Sequence, residues 1–523
     1  MNARKATRAA LAVLMLSGIL SACSGKGADS SAANADPSKP GASTNAADQK
    51  KLDPVTLKIM VPGDRPKDFN TVIQEAEKRM ANTLNVKLDV VFVPWADLAQ
   101  KTQVTLSSGE AIDLIFDAPW LHITQQIAAG SYAPLDDLLK KYGPNIIKNR
   151  PQQMWDANKF GGKIMGIPNG NSFLQGRVYY VRKDLREQLG MAPIKTYDDL
   201  IKFAYAVKEK VPNMTPIIPA GQDVTQGLSE GAFRHYWSDN KENIAPSPAL
   251  SESLILYTKN NDGKVYNLFD QMEPMVWSWI QNARKLYQDK IISPDVLAIK
   301  DQTEPAKQGK AAIIPQNNFG VSNDIQQAVK SGNPKAEFEA VTFMNQDKGK
   351  LLTNSLQYNF IAVPVVSKNK ERAIQFLDWA NQKENYDLLA YGIKDKNWQA
   401  IGDDQYKFIG DGYKWFPYVW IWNPTMDRQD ASQDEATKKL NKWTADASNF
   451  TVDKLSGFTF DNAAVTNEIS QYVSIEAKYY AALFNGVVDP DSYWAKFKAE
   501  AAPLAKKIQL EEQKQIDAFL KKK

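Results

Sequence analysis

From Asp53 onward the chain changes periodicity in a fixed order, and that order restricts the fold more than any other feature of its 523 residues. Val55 to Met60 has the β-branched, apolar character of a strand, after which Phe69, Val72, Ile73, Ala76, Met80 and Leu84 recur at helical spacing. Val86 to Val93 predicts a second strand, Trp95 to Ser108 a second helix and Asp113 to Asp117 a third strand. A βαβαβ run of this kind folds as a parallel sheet covered by helices, and it presents functional groups on the loops that leave the carboxyl ends of its strands. Gly63-Asp64-Arg65 and Asp117-Ala118-Pro119-Trp120 are two such loops.

The pattern restarts at Gly176. Arg177 to Val181 reads as a strand, and a helix follows whose start carries Thr196 and Asp199 at capping-box spacing. Asn261-Asp262-Gly263 between apolar pairs predicts a hairpin turn. Gly309 to Ile314, Phe338 to Phe343 and Tyr358 to Val366 predict further strands, and Ser367 to Ala380 a helix. Beyond Asn385 the chain is expected to be mostly helical, ending in an amphipathic run from Asp491 to Lys523, with Asp489 and Asp491 as helix caps rather than calcium ligands.

The region before Asp53 is of a different kind. Arg4, Lys5 and Arg8 precede an apolar stretch from Ala9 to Leu20, and the small residues Ser21 and Ala22 precede Cys23. This is the order of an export signal, too short to be a permanent membrane span. Leu20-Ser21-Ala22-Cys23 resembles a lipobox, whose cysteine is acylated and becomes the first mature residue. Residues 1–22 are therefore read as signal peptide and 23–52 as a linker, poor in large apolar side chains and spanning roughly 30 Å as a coil. Cys23 is the only cysteine, so the body beyond it has neither disulfides nor thiolate metal sites and depends on its core. Formal net charge is +4 with the basic residues scattered, which argues against a nucleic-acid partner.

Signatures of catalysis are thin. The two histidines, His122 and His235, belong to no His-Glu-x-x-His or related metal spacing, and there is neither a Gly-x-Ser-x-Gly elbow nor a Walker loop. A glycosidase needs only two well-spaced carboxylates, so a surface polysaccharide hydrolase or lyase stays open as an alternative. Aromatic residues are the positive signal. Thirteen tryptophans are present, and Trp415, Phe416, Tyr418, Trp420 and Trp422 place five rings in eight positions. Sugar rings stack their C–H faces on indole, and Trp420 and Trp422 would share one side of an extended segment. The other reading makes these rings a core plug under a loop. Trp277 and Trp279 read better as core of a helix, whereas Phe233 to Trp237, with Tyr236 and Trp237, fits site and scaffold equally.

In their order, these segments resemble the extracellular solute-binding proteins of bacterial ABC importers, in the carbohydrate-binding group that includes maltose-binding protein. The resemblance is carried by the lipobox, Gly63-Asp64-Arg65, Asp113 to Trp120, Ala129 to Asp136, Arg177 to Asp184, the Gly309 to Ile314 strand and Val363 to Asn369. Tyr391-Gly392-Ile393 through Ser456 to Asp461 and on to the C-terminus is similar to the longer LplA-type lipoproteins of Gram-positive bacteria. The resemblance implies an α/β, periplasmic-binding-protein-like (type II) fold with two lobes joined by hinge strands around a cleft, plus a helical C-terminal extension. It places 53–170 with 321–362 in the N-terminal lobe and 171–320 with 363–523 in the C-terminal lobe, with crossings near Pro168 to Phe173, Pro315 to Gly320 and Phe360 to Val365.

It also implies a binding protein rather than an enzyme, with a carbohydrate, an oligosaccharide, as ligand, the transmembrane permease as partner and the membrane reached through the lipid on Cys23. A peptide-binding importer component is the rival within that class. No cofactor or metal is expected. The implied ligand contacts are Asp64 and Arg65 after the first strand, Asp117 and Trp120 after the third, and Asn171 in the first crossing. Tyr236, Trp237, Asn317 and Phe319 follow, with Trp420 and Trp422 as a late platform. His122 stands where the maltose type has a basic residue, and Arg65 is the expected bidentate partner of a uronic acid if the sugar is acidic.

Overall fold

A computed structural model describes residues 52–170, 172–174, 178–221, 244–250, 253–300, 302–316, 323–415 and 418–523. The leader, Cys23 and the linker through residue 51 lie outside the described residues. The strands Val55–Pro62, Val86–Val93 and Leu114–Asp117 form a parallel core in which Val55–Pro62 is central. Asn359–Ala362 adds antiparallel to Leu114–Asp117, and Ile167–Asn169 closes the far edge, giving a five-stranded sheet. Helix Phe69–Met80 buries Phe69, Val72, Ile73, Ala76 and Met80, the stripe its spacing predicts. Trp95 to Ser108 begins as a 3-10 turn, Trp95–Asp97, and continues as helix Leu98–Ser107.

A second, four-stranded sheet has the order Phe338–Val341, Val178–Arg182, Ala311–Gln316, Thr215–Ile217. Its strands are covered on both faces, which is why Val178-Tyr179-Tyr180-Val181 is apolar without alternation. Tyr179 and Val181 pack with Phe203, Val207 and Ile313, whereas Val178 and Tyr180 pack with Ile314, Ile325 and Phe338. The helix on the first of these faces, Tyr197–Lys210, starts with the expected capping box between Thr196 and Asp199.

A third body packs helix Pro274–Gln288 and a small hairpin sheet against two long helices, Thr466–Phe484 and Pro490–Lys522. The hairpin joins Leu256–Lys259 to Tyr266–Asn267 through a turn in which Asn260, Asn261 and Gly263 all have positive φ. Asp489 caps the last helix by accepting the Ser492 N–H. The predicted helical tail also contains what its composition hid: a small sheet of Trp398–Ile401, Gln405–Phe408 and Gln429–Asp430.

The chain passes between the two main sheets three times. Phe338–Val341, expected in the N-terminal lobe, pairs with Val178–Arg182 in the second sheet. Helices Lys370–Ala380 and Lys383–Tyr391, expected in the C-terminal lobe, bury Phe376, Leu377, Tyr386 and Leu389 in the core of the first. The crossings lie between Asn169 and Val178, between Val341 and Asn359, and between Asp430 and Leu440. The first two crossings bind each other, Thr353 Oγ1 donating to Phe173 O, and both bind the segment beyond the third: Phe173 N–H donates to Thr444 O at 2.8 Å, and Leu352–Thr353 pairs with Thr451–Val452.

Candidate functional site

Parallel strands put their carboxyl ends on one edge, so the residues after Pro62, Val93 and Asp117 meet there. Gly63, at φ +98°, turns the chain where a side chain would be strained, and its N–H donates to Val93 O at 2.8 Å. Trp95 follows Pro94 directly and begins its turn beside Gly63. Trp120 lies in the loop after the third strand. Both indoles are 48% exposed, their ring centroids 6.3 Å apart and their planes inclined by 34°. Phe116, fully buried, supports the pair at 6.3 Å from Trp95 and 6.2 Å from Trp120. Trp120 Nε1 donates to the carbonyl of Tyr358 at 2.8 Å, and Tyr358 is itself 41% exposed at the end of the second crossing. The result is an open aromatic shelf at the sheet edge, linked by a hydrogen bond to a segment that joins the lobes. Grouped exposed rings are the kind of surface on which ligands or partners dock.

Asp117 supports this shelf from below. It is fully buried, and its carboxylate accepts from Ala118 N–H at 2.7 Å, His122 N–H at 3.2 Å and Tyr132 Oη at 2.6 Å. Burial pushes its pKa up while those three donors oppose the shift. Asp117, expected as a ligand contact, is thus engaged in closing the turn that carries Trp120. His122 starts helix Ile123–Ala128, half-buried. Asp64 is exposed beside Gly63. Arg65, also exposed, folds back onto its own lobe, donating to Asn70 Oδ1 at 2.9 Å and Val90 O at 2.5 Å, with its guanidinium 5.1 and 5.0 Å from the Phe69 and Phe92 rings.

The late cluster is divided. Trp420 lies in helix Tyr418–Ile421, not in an extended segment, and is 1% exposed in the first core, 6.0 Å from Phe376 and 6.1 Å from Trp415. It is core here, whereas the expectation is a stacking platform on an extended segment. Trp422, half-buried, donates to Asp427 Oδ2 at 2.6 Å and accepts the Gly170 N–H at 3.2 Å, so it stands at the crossings. Burial raises Asp427 to about 7. Asn171, Tyr236, Trp237, Asn317 and Phe319 lie outside the described residues. Loop position in the sequence does not single out Trp95 or Tyr358. Trp95 follows its strand as Asp64 and Trp120 follow theirs, but it also opens a helix, which gives it another explanation.

Among the described residues no group of three or more His, Cys, Asp or Glu is placed to hold a metal ion, and no helix is long and apolar enough to cross a membrane.

Residues 63–387 match the family described as bacterial extracellular solute-binding protein, and 454–521 match a Domain of unknown function (DUF3502). A protein of Streptococcus pneumoniae serotype 4 named carbohydrate ABC transporter substrate-binding protein is 24% identical over 92% of this chain and 94% of its own length. The polygalacturonan/rhamnogalacturonan-binding protein YtcQ of Bacillus subtilis is 25% identical over 73% and 71%. Among solved structures, the N-glycan transport solute binding protein NgtS of Streptococcus pneumoniae aligns with a TM-score of 0.71 at 20% identity, covering 90% of this chain and 99% of that one.

Proposed function

The chain belongs to the bacterial extracellular solute-binding proteins, and from that premise we propose that it is the substrate-binding component of an ABC importer whose cargo is an oligosaccharide stacked on Trp95, Trp120 and Tyr358. The observation that carries this reading is the exposed indole pair at the carboxyl edge of the first sheet. Two inclined indole faces suit the C–H faces of consecutive sugar units, and stacking of this kind gains both apolar burial and ring electrostatics.

The mechanism is capture. Ligand resting on the shelf and touching the second lobe favours the closed form, because only closure supplies both sets of contacts. Trp120 suits this role: one side of its ring is open to ligand, and its N–H is fixed to the crossing at Tyr358. The closed form would then be recognised by the permease. Binding without turnover also agrees with Asp117, whose carboxylate is buried and already holds three donors, so it is not poised as an acid or nucleophile beside the stacked sugar.

Attachment to the outer face of the cell membrane through lipidated Cys23 completes the proposal, supported by the basic, apolar and small-residue order of the leader. Labelled palmitate should enter the wild-type protein and not Cys23→Ala, which should leave the membrane fraction; equal membrane retention of both would refute the anchor. Cargo is tested by titration calorimetry against oligosaccharides and oligopeptides, with mass spectrometry of the mixture afterwards. Saturable heat with intact sugar supports the reading. Shortened sugar, or heat from peptides alone, overturns it.

A further inference from the structure

We infer that the sugar units held on the shelf are uncharged, so that the cargo is a neutral oligosaccharide and not one built from uronic acids. The inference rests on the shelf being the binding site. It follows from which hydrogen-bonding groups remain available there.

The donors nearest the shelf are already in use. Arg65 is the cation next to Asp64, but its guanidinium donates to Asn70 Oδ1 and Val90 O and lies 5.1 and 5.0 Å from the centroids of the Phe69 and Phe92 rings. Turning towards a ligand would break two hydrogen bonds and two cation–π contacts together. The indole N–H of Trp120 is held by Tyr358 O. What the shelf offers outward is of the opposite kind. Asp64 adjoins Gly63, and Asp97 shares the turn of Trp95; both are exposed, and neither carboxylate has a hydrogen-bond or ion-pair partner among the described residues.

The shelf thus combines apolar ring faces with acceptor-only carboxylates. A neutral sugar unit is complementary to both, since its C–H face stacks and its hydroxyls donate to Asp64 and Asp97. An ionised uronate also accepts only, so its carboxylate would meet two like charges, with the neighbouring Arg65 already engaged on its own lobe. Acidic oligosaccharides are therefore disfavoured by charge and by hydrogen-bond polarity together.

The test is calorimetry on the full mature protein with two sets of ligands matched in length. One set is neutral (gluco-, manno-, galacto- and xylo-oligosaccharides and N-acetylated chito-oligosaccharides); the other is oligogalacturonides and oligoalginates. The best neutral ligand is expected to bind at least about tenfold more tightly than any uronic one, with little change on adding salt, because no ion pair is made. Replacing both acids, Asp64→Asn with Asp97→Asn, should narrow the gap by improving uronic binding. A uronic ligand that binds as tightly as the best neutral one, or a double variant that leaves the gap unchanged, overturns the inference and leaves the carbohydrate reading standing. Failure of every sugar in both sets to bind overturns the carbohydrate reading, and the inference with it.

Discussion

Replacing Trp120 by alanine separates ligand binding from folding, and its size can be worked from the geometry. A tryptophan buries up to about 250 Å² when fully covered, and 48% of this one is exposed in the free protein. A sugar unit that covers most of the open ring face removes about 80 Å² from water, which at roughly 25 cal/mol per Å² amounts to ~2 kcal/mol. Trp120→Ala should therefore weaken the affinity for the best oligosaccharide about 30-fold by calorimetry. Trp120→Phe keeps a ring but leaves Tyr358 O without its donor; at ~1 kcal/mol for that bond, the loss should be about fivefold. Because the indoles are 6.3 Å apart, adding Trp95→Ala should give a non-additive cycle with a coupling of at least ~0.5 kcal/mol. The melting temperature should shift by only a few degrees, since little of the core is touched. Affinities of Trp95→Ala and Trp120→Ala both within about twofold of wild type would refute the shelf as the site.

Trp420→Ala is the counterpart in the core. It should cost about 4 kcal/mol and lower the melting temperature sharply, while the protein that remains folded keeps its affinity. Thr196→Ala removes one half of a capping box and should cost ~1 kcal/mol in urea unfolding without altering ligand binding. Glu512, fully buried on the last helix, accepts the Ala249 N–H at 2.8 Å, and burial raises its pKa to about 7. A carboxyl whose folded pKa exceeds its unfolded value binds more protons in the native state, so stability falls as pH rises from about 4.5 through 7, by ~3 kcal/mol for a shift of this size. Glu512→Gln lacks this loss, so its unfolding free energy from urea titration should gain on wild type between pH 5 and pH 8 by an amount of that order; a change in the opposite direction would contradict the assignment.

The parts of the fold that were legible are those with a strong local period. Val86–Val93 forms over the predicted residues, and Phe69–Met80 buries the predicted stripe. The lobe boundaries were not legible, because they depend on which strand pairs with which across long separations. Nothing near Phe338 indicates that Val341 will lie opposite Tyr179. Strands of two to four residues, such as Gln429–Asp430, are too short to show a period at all.

The site was half visible for a related reason. Loop position picked out Trp120, but residue type could not separate an acid that faces solvent, Asp64, from one buried to hold a turn, Asp117. Aromatic density pointed to Trp420, whose helical backbone turns it into the core. In that segment the choice between a period of 2 and one of 3.6 decided the answer.

The central claim is that Trp95 and Trp120 hold the ligand, and a crystal structure of the protein with its tightest oligosaccharide tests it most directly. The account predicts sugar rings lying against both indole faces at van der Waals distance, with hydroxyls directed to Asp64 and Asp97. A sugar bound elsewhere, with both indoles bare and the shelf still open to water, would contradict it.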